Sequence, residues 1–401
     1  MIETENETLD KTKFTRVIGH ITGKKEGPTF IFFSGIHGNE PAGVKALEHV
    51  FPELQNRANA LHGAVVGLRG NIPGILSSRR YVCDDLNRLW TSSKIDHIRS
   101  KPGRNRSPEE KQLVEILDLV LEIIHLRTGP IYFVDIHTTS SKSIPFITIN
   151  DALINRRFSK WFPVPVVLGI EEYLKGPLLS YINELGYVSL GFEAGQHQDD
   201  KSTENAIAFI WLSLVFAGIL SAAELPEIKI HHQILASAAG ANHFFYEVTD
   251  RFHLKATDHF KMAAGFQSFD AVKKGTLLGT QNAKDVVASK NAVLFMPLYQ
   301  DLGEDGFFLI KKIPNWALKA SAFLRKINWD LFLVLLPGIS WADNTRKNLK
   351  INTTLVRFMR RPIFHLLGYR RSTSAHRQTI MSNREQSAKK SLYKTTWWYK
   401  K

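Results

Sequence analysis

Residues 29–33 read Thr29-Phe30-Ile31-Phe32-Phe33, an apolar run without polar alternation, which predicts a strand buried on both faces. Similar runs recur at 64–68, 131–136 and 163–167, and the stretches 108–125 and 204–223 between or after them carry helical patterns. This alternation over residues 15–225 predicts an α/β sheet with helices on both faces. Around Leu225-Pro226 the pattern changes to short alternating runs, Ile228-Lys229-Ile230 and Phe244-Phe245-Tyr246-Glu247-Val248. Val272-Lys273-Lys274-Gly275-Thr276-Leu277-Leu278-Gly279 reads as strand, glycine turn, strand, so residues 226–312 are expected to form a smaller β domain. Residues 313–401 remain as a basic, partly helical or disordered extension. It opens with an amphipathic helix over 316–329, continues with an apolar run at 331–336, and includes a polar stretch at 372–394 expected to be disordered.

Charge sharpens that division. The net charge is +14, but residues 343–401 hold 15 Lys and Arg against 2 Asp and Glu, leaving 37 basic and 36 acidic groups for the rest. The body is near neutral, and the tail carries the imbalance. That asymmetry points to a polyanionic partner for the tail, an anionic membrane surface or a nucleic acid, and not to an anionic substrate. The tail's basic residues are interleaved with aromatic ones, as at Arg357-Phe358, Tyr369-Arg370-Arg371 and Trp397-Trp398-Tyr399-Lys400-Lys401. On this reading the tail is dispensable for chemistry. The apolar run at 331–336 is too short to span a bilayer. The acidic start, Met1-Ile2-Glu3-Thr4-Glu5-Asn6-Glu7, is unlike a signal peptide. The single cysteine, Cys83, excludes an intramolecular disulfide framework and is expected to be a small buried residue. Together these features suggest a cytoplasmic protein.

The candidate chemistry begins directly after the first strand, at Ser34-Gly35-Ile36-His37-Gly38-Asn39-Glu40. A histidine and a carboxylate three residues apart, where a strand opens into a helix, can converge on one metal ion. The run 131–136 ends in His137, which would arrive at the same sheet edge as a third ligand. A core histidine at a strand end fits that position equally well. Asp135 shares a strand face with His137 and is placed to hold its imidazole. Arg79-Arg80-Tyr81-Val82-Cys83-Asp84-Asp85-Leu86-Asn87-Arg88 offers guanidinium groups for an oxyanion and for a substrate carboxylate, although such a stretch alone reads as a solvated loop. In Leu190-Gly191-Phe192-Glu193-Ala194-Gly195-Gln196 one carboxylate follows an apolar strand, suited to a general base.

Taken in order, His37-Gly38-Asn39-Glu40, Arg80-Tyr81 with Asp85-Leu86-Asn87-Arg88, Asp135-Ile136-His137-Thr138-Thr139-Ser140, and Glu193-Ala194-Gly195 resemble the motif set of the succinylglutamate desuccinylase/aspartoacylase family, zinc-carboxypeptidase-like amidohydrolases. The likeness spans about residues 15–310. It implies a zinc-carboxypeptidase-like mixed sheet, with one Zn2+ held by His37, Glu40 and His137. It also implies that Glu193 is general base and proton shuttle, that Arg80 polarises the carbonyl, and that Asn87 and Arg88 bind a substrate carboxylate. A second β domain would close the cleft. The element at 272–279 looks like part of a barrel-sandwich fold, although no lysine there has the context of a carrier domain. The chain departs from members that cleave acetylaspartate: no arginine occurs at 181–185, and phenylalanines stand at 307–308 where a tyrosine is expected. His197 is expected to be an ordinary loop histidine.

The sequence therefore favours a zinc-dependent deacylase of an N-acyl amino acid or similar small amide. Two alternatives are a metallocarboxypeptidase and a non-catalytic binder of nucleic acid or membrane surface that uses the basic tail.

Overall fold

The structure, a computed structural model, describes residues 15–255, 257–344, 346–356, 361–375 and 378–401. The acidic start 1–7 and the Arg357-Phe358 pair of the tail lie outside the described residues. The strands of the first half are β1 (Val17–Thr22), β2 (Lys25–Ser34), β3 (His62–Arg69), β4 (Ile131–Thr139), β5 (Phe146–Ile149), β6 (Val166–Leu168) and β7 (Val188–Gln196). There follow β8 (Phe245–His253), β9 (Phe260–Met262), β10 (Ala271–Val272), β11 (Leu277–Gln281), β12 (Lys284–Val287), β13 (Ala292–Phe295) and β14 (Asp305–Lys312). An 11-stranded mixed sheet runs in the order β1-β3-β2-β4-β7-β5-β6-β8-β14-β13-β10. Its centre, β3, β2, β4 and β7, is parallel, so the carboxyl ends of these strands share one edge.

Strand alternation sorts the side chains into two cores. Phe30 and Phe32 of β2, Tyr132 and Val134 of β4, and Leu190 and Phe192 of β7 pack on one face, against helices Ala42–Asn56 and Asp200–Ala217. Ile31, Phe33 and Phe133 pack on the other, against helices Ser92–Ser100 and Pro108–Leu126. Asp135, His137 and Glu193 have the parity of Phe133, so they lie on that second face where the strands end.

The β unit is joined to this sheet: β8, β14, β13 and β10 continue it at one edge, while β12-β11-β9 form a separate small sheet. The glycine turn between β10 and β11 is present, with Gly275 at φ +87°. Residues 228–230, read from sequence as a short alternating run, instead open a helix, Ile228–Ala238. Leu235 is buried, and the His231 ring stacks on Trp211, so its apolar spacing serves a helix packed on Asp200–Ala217.

The extension departs most from expectation. After helix Asn315–Lys326 come β15 (Ile339–Trp341), β16 (Asn348–Asn352), β17 (Tyr369–Ala375) and β18 (Gln378–Asn383), paired in the order β15-β16-β18-β17. The described residues of that stretch, 372–375 and 378–394, are thus structured, because its sparse apolar residues are placed where they count. Met381 joins a core with Leu349, Ile351 and Tyr369, and Tyr393 is fully buried in the main core. The Tyr393 hydroxyl accepts from Val188 N and donates to Ile131 O, and Trp398 Nε1 donates to the Tyr132 hydroxyl at 3.0 Å. The chain end is therefore strapped to β4 and β7, so this part of the tail belongs to the fold and is not a free arm.

A buried ionic junction fixes the extension as well. Asp151, just past β5, is fully buried and accepts from Arg325 Nη2 at 3.0 Å and Arg370 Nη2 at 2.8 Å, with Arg156 Nη2 at 2.6 Å. Arg370 also reaches Glu247 Oε1 at 2.8 Å, and His365 lies between Glu247 and Glu172. Burial opposes ionisation of Asp151, but the three guanidinium groups hold its carboxyl well below the usual range.

Candidate active site

The metal-ligand candidates meet where the strands end. Gly35, at φ +69°, turns the chain out of β2. Gly38 then packs against the loop that carries Arg80: its N–H donates to Arg80 O at 3.1 Å, and a Cβ there would sit 1.9 Å from the Gly74 carbonyl carbon. His37, Glu40 and His137 are all buried, and their ligand atoms lie within 4.8 Å of one another. Glu40 Oε1 is 2.8 Å from His37 Nδ1, and Glu40 Oε2 is 2.9 Å from His137 Nδ1.

The far nitrogens of both rings are also held. His137 Nε2 is 2.7 Å from Asp135 Oδ2, and His37 Nε2 is 3.2 Å from Asp85 Oδ1. With each Nε2–H given to a carboxylate, each Nδ1 is the atom left to ligate a metal once its own proton is displaced, the arrangement that orients metal-binding imidazoles. Two nitrogens and a carboxylate on a buried wall fit a divalent ion with an open coordination position. Without the ion, burial opposes the charge on Glu40, but the two histidines against it hold its carboxyl well below its usual value. Burial likewise disfavours the His137 cation, yet Asp135 and Glu40 raise its pKa well above the ordinary value. Metal uptake must therefore displace a proton.

Arg80 and Asp85 form the next layer. Arg80 Nη2 donates to Asp85 Oδ2 at 3.2 Å, and its Nη1 lies 3.6 Å from Glu40 Oε1. Their loop is shaped by Glu109, at the start of helix Pro108–Leu126 and fully buried. It accepts from Asn71 Nδ2 and from the backbone N–H groups of Val82, Cys83 and Asp84. Cys83 is consequently exposed rather than buried, because this loop turns its side chain outward. Asn87 Oδ1 accepts from Leu178 N at 2.9 Å, and Arg88 Nη2 is 3.7 Å from Asp305 Oδ2.

Glu193 pairs in register with His137 across β4 and β7. Its Oε2 is buried with no hydrogen-bond partner, and burial pushes its carboxyl up to about 8. These seven residues, His37, Glu40, Arg80, Asn87, Arg88, His137 and Glu193, line one cleft. Its other wall is apolar, with Ile149, Ile170, Leu174 and Phe308, and the segment that includes Leu298, Gln300 and Asp305 forms its rim.

Several cleft residues had no assigned role in the sequence reading. His197 is not an ordinary loop histidine: its Nδ1 is 2.7 Å from Thr138 Oγ1 and its Nε2 is 3.3 Å from Gln300 Oε1, inside the cleft. Its place directly after Gln196, the last residue of β7, was the available signal. Asp85 was visible only as a motif member, and Glu109, Gln300 and Asp305 gave no local signal.

Comparison with known proteins agrees with this geometry. Residues 26–210 match the succinylglutamate desuccinylase/aspartoacylase catalytic domain. A succinylglutamate desuccinylase of Photorhabdus laumondii is 35% identical over 75 residues, 19% of this chain and 22% of that protein, so the match spans only about a fifth of that relative. The fold is similar to that of a succinylglutamate desuccinylase/aspartoacylase from Rhodobacter sphaeroides, with TM-score 0.54 and 16% identity over 73% of this chain and 87% of the other. It is also similar to an aspartoacylase family protein from Mesorhizobium loti, with TM-score 0.52 and 15% identity over 73% and 88%. The likeness of this chain to the succinylglutamate desuccinylase/aspartoacylase family thus rests on residues 26–210, which match that family's catalytic domain.

Proposed function

We propose that the protein is a zinc-dependent hydrolase of a non-peptide amide bond, releasing the free amine from an N-acyl amino acid or similar small amide. The observation that carries this reading is the convergence of the His37–Glu40–His137 donor set with the unpartnered Oε2 of Glu193 and the part-buried Arg80. The relatives' names, desuccinylase and aspartoacylase, agree with it.

Zinc, held by these three side chains, would supply a Lewis acid to acidify water and polarise a carbonyl. Asp135 and Asp85 accept from the far ring nitrogens and so orient the two imidazoles that would hold it. Glu193 takes a proton from the attacking water at Oε2 and returns it to the amine nitrogen as the C–N bond breaks. A carboxyl lifted by burial suits that return step, because its acid form is accessible near neutral pH. Arg80 donates to the carbonyl oxygen as charge develops there. Asn87 and Arg88 hold the substrate carboxylate, which for Arg88 means exchanging its 3.7 Å contact with Asp305.

Support for a small amide over a peptide C-terminus comes from the rim. Gln300 lies within hydrogen-bond distance of both Asn39, beside the ligand Glu40, and His197, so the β unit narrows the cleft. The test is zinc analysis of purified protein with a panel of N-acyl amino acids and unblocked peptides. About one zinc per chain and amide cleavage are expected. Peptide trimming instead would make it a carboxypeptidase, and neither metal nor turnover would remove the enzyme reading.

A further inference from the structure

The extension carries a surface that the catalytic reading does not use. Helix Asn315–Lys326 turns Ser321, Leu324 and Arg325 toward the body, where Ser321 Oγ and Arg325 Nε donate to Leu366 O. Its opposite face, at spacings of four and three residues, presents Trp316, Lys319, Phe323 and Lys326, all exposed. Trp316 is 70% exposed and Phe323 is 61%. The next segment, the 3-10 turns Trp329–Leu335, buries Leu333 and leaves Leu331, Phe332 and Leu335 outside, the last two at 58% and 76%.

Exposed apolar side chains concentrated in this way mark an interaction site and not scattered surface residues. The charge around them is one-sided. Leaving out the buried Arg325, paired with Asp151, and the buried Asp330, hydrogen-bonded to the Tyr369 hydroxyl at 2.9 Å, residues 311–350 hold 7 Lys and Arg and 1 Asp.

We propose that this face, Trp316, Phe323, Phe332 and Leu335 flanked by Lys319 and Lys326, docks the protein onto the surface of an anionic lipid bilayer. A helix whose outer stripe alternates large apolar residues with lysine lies in the plane of a headgroup layer, rings entering the acyl boundary and ammonium groups meeting phosphates. Protruding leucines have no use against a phosphate backbone, which makes nucleic acid the weaker match. A second copy would bring two equally cationic faces together in an isologous contact. Among the described residues no helix is long and apolar enough to cross a membrane, so the contact is peripheral.

The test is co-sedimentation of the full chain with vesicles of phosphatidylcholine alone or mixed with phosphatidylglycerol. Sedimentation with the anionic vesicles only is expected, weakening with salt. The exposed pair F332S and L335S should lower vesicle affinity about tenfold or more while leaving amide hydrolysis unchanged. Lys319→Glu with Lys326→Glu should do the same at low salt and flatten the salt dependence. Intrinsic tryptophan fluorescence should be quenched by brominated lipid in the wild type and less in W316F. Failure to sediment, or unchanged affinity in the F332S/L335S protein, would overturn the proposal. So would self-association that these variants abolish in place of vesicle binding, or RNA binding that they leave intact in protein that ignores vesicles.

Discussion

Between β2 and β7 the apolar side chains are buried and the charged ones converge on a cleft. In the C-terminal extension the arrangement is inverted: Arg325, Arg370 and Asp151 meet in a buried junction, while Trp316, Phe323, Phe332 and Leu335 face outward. Charge counted along the chain therefore does not report charge presented to solvent. The tail's excess looks like one polyanion-binding arm, yet Arg370 is buried against Asp151 and Glu247, and Arg384 reaches Glu184 of the body at 2.7 Å. In the first half, Glu193 Oε2 is buried with no hydrogen-bond partner, as the proposed proton transfer would require. In the junction, buried charge is matched and holds two units together.

Breaking the two charge clusters should give different injuries. His37→Ala and His137→Ala are each expected to lose zinc and essentially all turnover, checked by metal analysis and amide hydrolysis, with the fold retained. At the junction, Arg370→Met takes one of three guanidinium groups from Asp151 and leaves Glu247 with His365 and Lys311, and should cost up to about 3 kcal/mol of stability, read by denaturant unfolding. Truncation after residue 343 should be worse, since it also removes Tyr393 and Trp398 from the main core. An active, stable truncated protein would contradict the comparison.

The junction also sets an acid limit. Glu247, like Asp151, has its carboxyl held below the ordinary value; burial opposes this, while His365 and Arg370 impose it. A depressed carboxyl contributes stability that is complete above the unfolded value near about 4 and is lost as pH falls toward the folded one. Unfolding midpoints should therefore fall steeply below about pH 4 in the wild type and less so in Arg370→Met.

Within the cleft the expected effects are smaller. Arg80→Ala should mainly lower kcat, because the oxyanion exists only in the transition state, and Arg88→Ala should mainly raise KM. The reverse pattern would exchange their roles. The smallest effect concerns substrate choice. Arg80 faces Asp85 and Arg88 faces Asp305, and the far wall is apolar, so acetylaspartate should show a lower kcat/KM than monocarboxylate N-acyl amino acids, by about tenfold.

The sheet was legible because its central strands are long unbroken apolar runs, and the convergence of His37, Glu40 and His137 because they follow or end such runs. What the sequence hid was set by distant partners. Nothing near Glu109 announces that it shapes the Arg80 loop, and nothing near Gln300 announces that it reaches Asn39 and His197. The extension was misread for a related reason. A polar stretch with few apolar residues lacks a periodic signal, yet Met381, Tyr393 and Trp398 suffice to anchor it because each enters a core built by other parts of the chain. Residues 228–238 were ambiguous in kind, since Ile228-Lys229-Ile230 fits a strand until the next two turns are counted.

The central claim is that His37, Glu40 and His137 hold a catalytic zinc while Glu193 moves the proton. It is tested most directly by zinc content and N-acyl amino acid hydrolysis measured side by side on wild type and Glu193→Gln. The account predicts equal zinc, about one per chain, and a turnover lower by about 10²–10⁴-fold in the variant. Normal hydrolysis by Glu193→Gln, or loss of its zinc along with its activity, would contradict it.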